Sequence, residues 1–134
     1  MNAVFADTFY FLALLNKTDE AHENAGQYAA DRSKRLVTTA WVLTELADGL
    51  AGTGGRSIFR ELVAELEKDG NTQIIPANPA LWQRGIDLYA ARPDKEWSLT
   101  DCISFVVMGD MGITDALTAD HHFEQAGFRT LLLK

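Results

Sequence analysis

Ala3-Val4-Phe5-Ala6-Asp7-Thr8-Phe9-Tyr10-Phe11-Leu12-Ala13-Leu14-Leu15 is an apolar run with one carboxylate set inside it. How it divides governs the reading of everything that follows. Ala3 to Ala6 has the length of a short strand, and Thr8 to Leu15 has the apolar density of a buried helix. Asp7 then stands at the carboxyl end of a strand and the start of a helix. Unpaired N–H groups and the helix dipole favour negative charge at that position. The residue has two readings at this stage, as a helix cap or as a functional carboxylate.

The same alternation repeats outward from this unit. Thr18 to Ser33 places Ala21, Ala25, Tyr28 and Ala29 at helical spacing, with Asp19 and Glu20 suited to its first turn and Arg32, Lys34 and Arg35 to its end. Leu36 to Thr39 reads as a second, buried strand. From Ala40 a helix carries Trp41, Val42, Leu43, Leu46, Ala47 and Leu50 as its stripe, with Glu45, Asp48 and Gly49 on the other side. Gly52-Thr53-Gly54-Gly55 ends it, and Arg56 to Lys68 forms the next helix. Thr72 to Pro76 is a third strand, and Pro79 to Ala91 a helix opened by a proline that suits its first turn. After the polar loop Arg92 to Glu96, the segment Thr100 to Met111 is nearly all apolar, the mark of a helix buried on most sides. Ala116 to Thr118 is a fourth strand and Phe128 to Leu132 a fifth, separated by a short helix or turn ending at Gly127. Strands alternating with helices across short connections predict an α/β fold with a mostly parallel sheet.

Bulk composition agrees. At 134 residues, with 47% hydrophobic and 23% charged residues, the chain suits a single soluble globular domain over 1–134. The lone Cys102 excludes an internal disulfide and fits a reducing compartment, so a cytoplasmic location is expected. The run from Phe9 to Leu15 lacks a preceding basic segment and falls short of the about 20 apolar residues of a membrane span, which points away from a signal peptide or membrane association. A net charge of -7 weighs against binding a polyanion through a broad basic surface.

The acids carry the chemical argument. Asp7 and Asp120 fall at predicted strand ends, and Asp101 in Ser98-Leu99-Thr100-Asp101 falls in the first turn of the apolar helix. Glu45 lies just over one turn into the helix after the second strand. In open parallel sheets, ligands bind outside the carboxyl ends of the strands, so these four acids are placed to converge. Uncompensated, they would repel one another and some would be driven neutral. A divalent cation removes that conflict, and an all-oxygen ligand set suits Mg²⁺ or Mn²⁺. Zinc is disfavoured, because no Cys/His ligand spacing is present and Cys102 points to a different helical face from Asp101. Each acid also has a structural reading: Asp101 as the partner of a Ser98 cap, Glu45 as a solvated helix residue, Asp120 as a turn residue. Asp48 and Glu124 are weaker candidates for the same edge. His121-His122 is weighed as a proton shuttle and set below local packing. No nucleophile elbow or phosphate-binding loop occurs.

These residues resemble the PIN-domain family, and within it the VapC-type toxin ribonucleases of toxin–antitoxin pairs. The resemblance rests on Phe5-Ala6-Asp7-Thr8, on Glu45 within Trp41 to Leu46, on Ser98-Leu99-Thr100-Asp101-Cys102-Ile103-Ser104, and on Ala116-Leu117-Thr118-Ala119-Asp120-His121-His122-Phe123 continuing to Ala126-Gly127-Phe128. It implies a three-layer α/β/α sandwich with a five-stranded sheet in the order 3-2-1-4-5. It also implies a Mg²⁺- or Mn²⁺-dependent endoribonuclease acting on tRNA, rRNA or mRNA, usually a homodimer, inhibited by a cognate antitoxin protein. The family's acidic quartet falls on Asp7, Glu45, Asp101 and Asp120, as catalytic and metal-binding residues, and its accompanying polar residue on Thr118, in a supporting role. The -7 charge departs from the more basic surface of many members, leaving Arg56, Arg60, Arg84, Arg92 and Lys95 as the candidates for phosphate contacts. Two other readings stand beside this one. One is a receiver-like phosphoacceptor module, which needs a lysine at the same sheet edge, where only the terminal Lys134 follows the later strands. The other is a catalytically silent PIN-like interaction domain, against which the four acids argue.

Overall fold

The computed structural model describes residues 2–132. Its elements are β1 (Ala3–Ala6), α1 (Thr8–Leu15), α2 (His22–Ala30), β2 (Arg35–Thr39), α3 (Ala40–Gly49), α4 (Gly55–Lys68), β3 (Thr72–Ile75), α5 (Pro79–Ala91), α6 (Leu99–Met111), β4 (Asp115–Leu117), α7 (His121–Gln125) and β5 (Arg129–Thr130). Every strand is short, and β1 is buried at three consecutive positions, Val4, Phe5 and Ala6. A strand buried without alternation is covered on both faces, which makes the sheet the middle layer between helices.

The sheet is parallel throughout, in the order β3-β2-β1-β4-β5. From β1 the chain builds outward through β2 and β3, then crosses back to add β4 and β5 on the other side. The direction of winding reverses between β1 and β4, which opens a crevice at their carboxyl ends. Register fixes what meets there. Phe5 lies beside Ala116 and Ala6 beside Leu117, so Asp7 and Thr118 leave the sheet as neighbours. The Thr118 N–H donates to the Ala116 carbonyl at 3.1 Å, a tight bend that ends β4 and turns the chain toward Asp120.

Phe5, Phe11, Leu46, Ile103, Met108 and Phe123 are fully buried and form the heart of the core. Helix α6 is enclosed as its composition predicts, with Asp101 to Phe105, Val107 and Met108 all buried. It packs closely on α5, where a Cβ at Gly85 would lie 2.3 Å from Ile103 Cγ1, so glycine is what lets the two helices approach. Phe105 is boxed by the rings of Trp97, Phe123 and Phe128, with centroids at 5.0, 5.0 and 5.7 Å.

Two elements, α2 and the fifth strand, differ from the sequence reading by more than one residue, and several other limits shift by one. Helix α2 starts at His22 rather than Thr18, because the Asn16 and Asp19 side chains accept from the Thr18 and Ala21 N–H groups and hold residues 16–21 in turns. Asp19 therefore caps a turn instead of lining the helix, and Arg35 belongs to β2. The fifth strand is shorter than Phe128 to Leu132, although the Leu131 and Leu132 N–H groups still donate to the Ala116 and Thr118 carbonyls. Lys134, the lysine weighed for a receiver-like site, lies outside the described residues. Among the described residues no helix is long and apolar enough to cross a membrane.

Candidate active site

Asp7 occupies the N-cap position of α1, yet its side chain makes no capping bond. The carboxylate turns instead across the crevice, where the Thr118 hydroxyl donates to Oδ2 at 2.9 Å. The same hydroxyl oxygen accepts from the Asp120 N–H at 3.0 Å. One threonine, itself fully buried, thus fixes the Asp7 rotamer and the path of the chain into Asp120. Asp7 is 5% exposed.

Asp101 enters from α6. Its N–H donates to Ser98 Oγ at 3.0 Å and its Oδ2 accepts from the Ser98 N–H at 3.3 Å, completing a capping box. The cap holds the carboxylate at the first turn, buried and aimed at the same crevice. Asp120 is the N-cap of α7, its Oδ1 accepting from the His122 N–H at 2.9 Å. The His122 ring closes the gap between the last two acids, with Nδ1 3.4 Å from Asp101 Oδ2 and 3.2 Å from Asp120 Oδ1. Glu45 reaches back from α3 to accept from the Thr8 hydroxyl, next in sequence to Asp7.

The electrostatics record the crowding. Burial pushes the Asp7 carboxyl up from 3.8 to about 7, against the Thr118 hydrogen bond, with the Asp101 and Glu45 charges adding to the rise. Asp101 is also raised, first by burial and then by the Asp120 charge, against the Ser98 bonds and the neighbouring His122. Among the described residues no lysine or arginine pairs with Asp7, Glu45, Asp101 or Asp120. The four acids share one patch that no lysine or arginine enters, with the His122 ring beside two of them, and their oxygens fit a hard divalent cation.

Other candidates fall elsewhere. Glu124 Oε1 accepts from Thr130 at 3.4 Å, beside β5, and Asp48 sits on the exposed side of α3. Arg84 is engaged by Asp110 through both guanidinium nitrogens, and Arg56 donates to the Ala51 carbonyl at 3.0 Å. Arg92 pairs with Asp94 and lies 5.1 Å over the Trp97 ring. With Lys95, Tyr89, Trp97 and Ser98 it lines a cleft of about 850 Å³ that runs up to the Asp101 cap. Sequence reasoning ranked His121-His122 as local packing, and the geometry revises that for His122. The available signal was position, two residues after a strand-end aspartate, but the direction of the ring depends on a cap that sequence does not display.

A fold wound about this switch point, with acids gathered at it, defines a class. The PIN-domain sequence profile matches residues 4–129, and the chain belongs to the PIN-domain family. Its relatives include the 23S rRNA-specific endonuclease VapC20 of Mycobacterium tuberculosis, 28% identical over 126 residues that cover 93% of this chain and 95% of the relative. The crystal structure of that VapC20, a toxin that cleaves the sarcin-ricin loop, superposes with a TM-score of 0.83 at 25% identity, covering 94% of this chain and 96% of the other. DNA-bound VapBC from Salmonella typhimurium (TM-score 0.68, 14% identity, 97% of both chains) and FitAcB from Neisseria gonorrhoeae (0.63, 17%, 95% of both chains) share the fold.

Proposed function

We propose that the protein is a divalent-metal-dependent endoribonuclease and the toxin of a toxin–antitoxin pair, with Asp7, Glu45, Asp101 and Asp120 as its metal-binding and catalytic residues. The observation that carries this reading is the meeting of four carboxylates from four separate segments at one crevice with no lysine or arginine paired to them among the described residues. An ion such as Mg²⁺ or Mn²⁺ held there supplies charge against the scissile phosphate and a water of lowered pKa. Asp7 and Asp101 would hold the ion directly, and Glu45 and Asp120 would complete the set or hold waters.

The protein's own contribution is positioning. Thr118 fixes Asp7, Ser98 fixes Asp101, Thr8 fixes Glu45, and the main chain of α7 fixes Asp120. Held before substrate arrives, these groups need little reorganisation during the reaction. Hydrolysis leaves a 5′-phosphate and a 3′-hydroxyl. The VapC20 likeness makes ribosomal RNA the first substrate class to test, with tRNA and mRNA next. A cognate antitoxin, a homodimer and a cytoplasmic location complete the proposal, as the family resemblance implies.

The test is cleavage of purified rRNA and tRNA pools by the metal-stripped protein. Discrete cuts that need added Mg²⁺ or Mn²⁺ and stop in excess EDTA are expected. Cutting that continues unchanged in EDTA rules out the metal mechanism.

A further inference from the structure

The oxygen-only set leaves His122 unused, although its ring stands between two members of that set. Nδ1 lies 3.2 Å from Asp120 Oδ1 and 3.4 Å from Asp101 Oδ2. Ligand atoms from Asp120, His121 and His122 also lie within 4.8 Å of one another. Two donors bound side by side to one six-coordinate ion, at bond lengths of about 2.1 Å, stand about 3 Å apart, close to the spacing seen here. The ring is held in place from behind: the His122 N–H is tied to Asp120, the His121 ring packs on it at 4.4 Å, and the next residue, Phe123, is fully buried in the core. His121, at 70% side-chain exposure and 3.8 Å from Asp120, is the solvent-facing member of that group.

A nitrogen donor changes which ion a site selects. Mg²⁺ takes oxygen ligands almost exclusively, whereas Mn²⁺ and the later first-row ions accept imidazole, with affinity rising along the series. We propose that His122 is a metal ligand, forming with Asp120, beside Asp101, a mixed nitrogen–oxygen site that prefers Mn²⁺ or a later transition ion to Mg²⁺. The proposal rests on the metal-dependent reading of the acidic cluster. It revises the expectation that the set is oxygen-only. The competing account is an ion pair in which a protonated ring bridges two carboxylates and binds no metal.

The chain has three histidines, His22, His121 and His122, which makes the assignment tractable. His22 is held elsewhere, its Nδ1 2.8 Å from the Ala13 carbonyl oxygen. Electron spin echo modulation is recorded on protein loaded with less than one equivalent of Mn²⁺, prepared once with natural histidine and once with ¹⁵N-labelled histidine. Bound imidazole gives nitrogen couplings that switch with the isotope, disappear in His122→Ala, and persist in His121→Ala and His22→Ala. By calorimetry, Mn²⁺ affinity falls by about tenfold or more in His122→Ala, the scale expected when a metal site is disturbed, while Mg²⁺ affinity changes little. Circular dichroism checks that each variant is folded, and the isotope comparison on the unmutated protein stands if one is not. Mn²⁺ binding without histidine coupling overturns the proposal and leaves the oxygen-only site intact. Couplings that survive in His122→Ala also overturn it. Failure of the folded, unmutated protein to bind Mn²⁺ removes both this proposal and the metal-dependent reading beneath it.

Discussion

At Asp7 the demands of stability and of chemistry oppose each other. The carboxyl sits at 5% exposure, and burial holds its pKa near 7, against 3.8 in the unfolded chain. Between those values the folded state binds more protons than the unfolded state, so stability falls as pH rises. The contribution is complete below about pH 4 and lost by the time pH passes 7. Asp7→Asn removes the charge and keeps the volume and the acceptor for Thr118. In metal-free protein at pH 8 this substitution is expected to raise Tm by about 3 °C or more, with the gain shrinking toward pH 4. Added divalent cation is expected to raise Tm of the unmutated protein far more than that of the variant. A Tm for Asp7→Asn equal to or below that of the unmutated protein in EDTA at pH 8 contradicts this account. Asp7 and Asp101 were legible from sequence because both fall at strand or helix ends that local patterning locates. Thr8, as the anchor of Glu45, and His122, as the bridge between Asp101 and Asp120, were not. Their roles depend on tertiary approach and on which way a side chain turns.

Among the elements, α6 does the most to place the site, since its first turn carries Asp101 and its remainder is sunk in the core. Phe105 sits one turn beyond Asp101 and is 5% exposed among the rings of Trp97, Phe123 and Phe128. Truncating a buried aromatic costs about 3–5 kcal/mol through lost transfer energy and the cavity left behind. Phe105→Ala is expected to lose that much in urea unfolding, and a loss under about 1 kcal/mol would place the helix elsewhere. The strands and most helix limits were readable because apolar runs and their Gly, Pro and Asn punctuation coincide with the observed ends. The start of α2 was not. Thr18-Asp19-Glu20 looks like a helix opening, but Asn16 and Asp19 satisfy nearby N–H groups in turns instead.

Across the whole molecule, charge and topology set the terms for a substrate. The order β3-β2-β1-β4-β5 brings residues 7, 101 and 120 to one crevice despite their separation along the chain. With a net charge of -7, an RNA substrate as proposed would have to be held by local basic groups rather than by the surface at large. Arg92 and Lys95 are the basic side chains that line the cleft leading to the Asp101 cap, beside Glu96. Arg92 is partly neutralised by Asp94, which leaves Lys95 as the more informative probe. Lys95→Glu is expected to weaken RNA binding by about tenfold at low salt and to flatten its salt dependence, with metal affinity unchanged. Unaltered RNA affinity would move the RNA path to another face. The sheet order itself came from family likeness rather than from local sequence, because short strands carry too little signal to say which neighbours pair. The proposed function requires Asp101 to act through its charge at a shared metal site, while its cap belongs equally to structure. The most direct test is RNA cleavage by Asp101→Asn, compared with the unmutated protein at saturating Mn²⁺ and matched for folding by Tm. Loss of cleavage by about a thousandfold or more with the fold intact is expected, since asparagine can keep the bond to the Ser98 N–H but carries no charge. Cleavage within about threefold of the unmutated protein would contradict it.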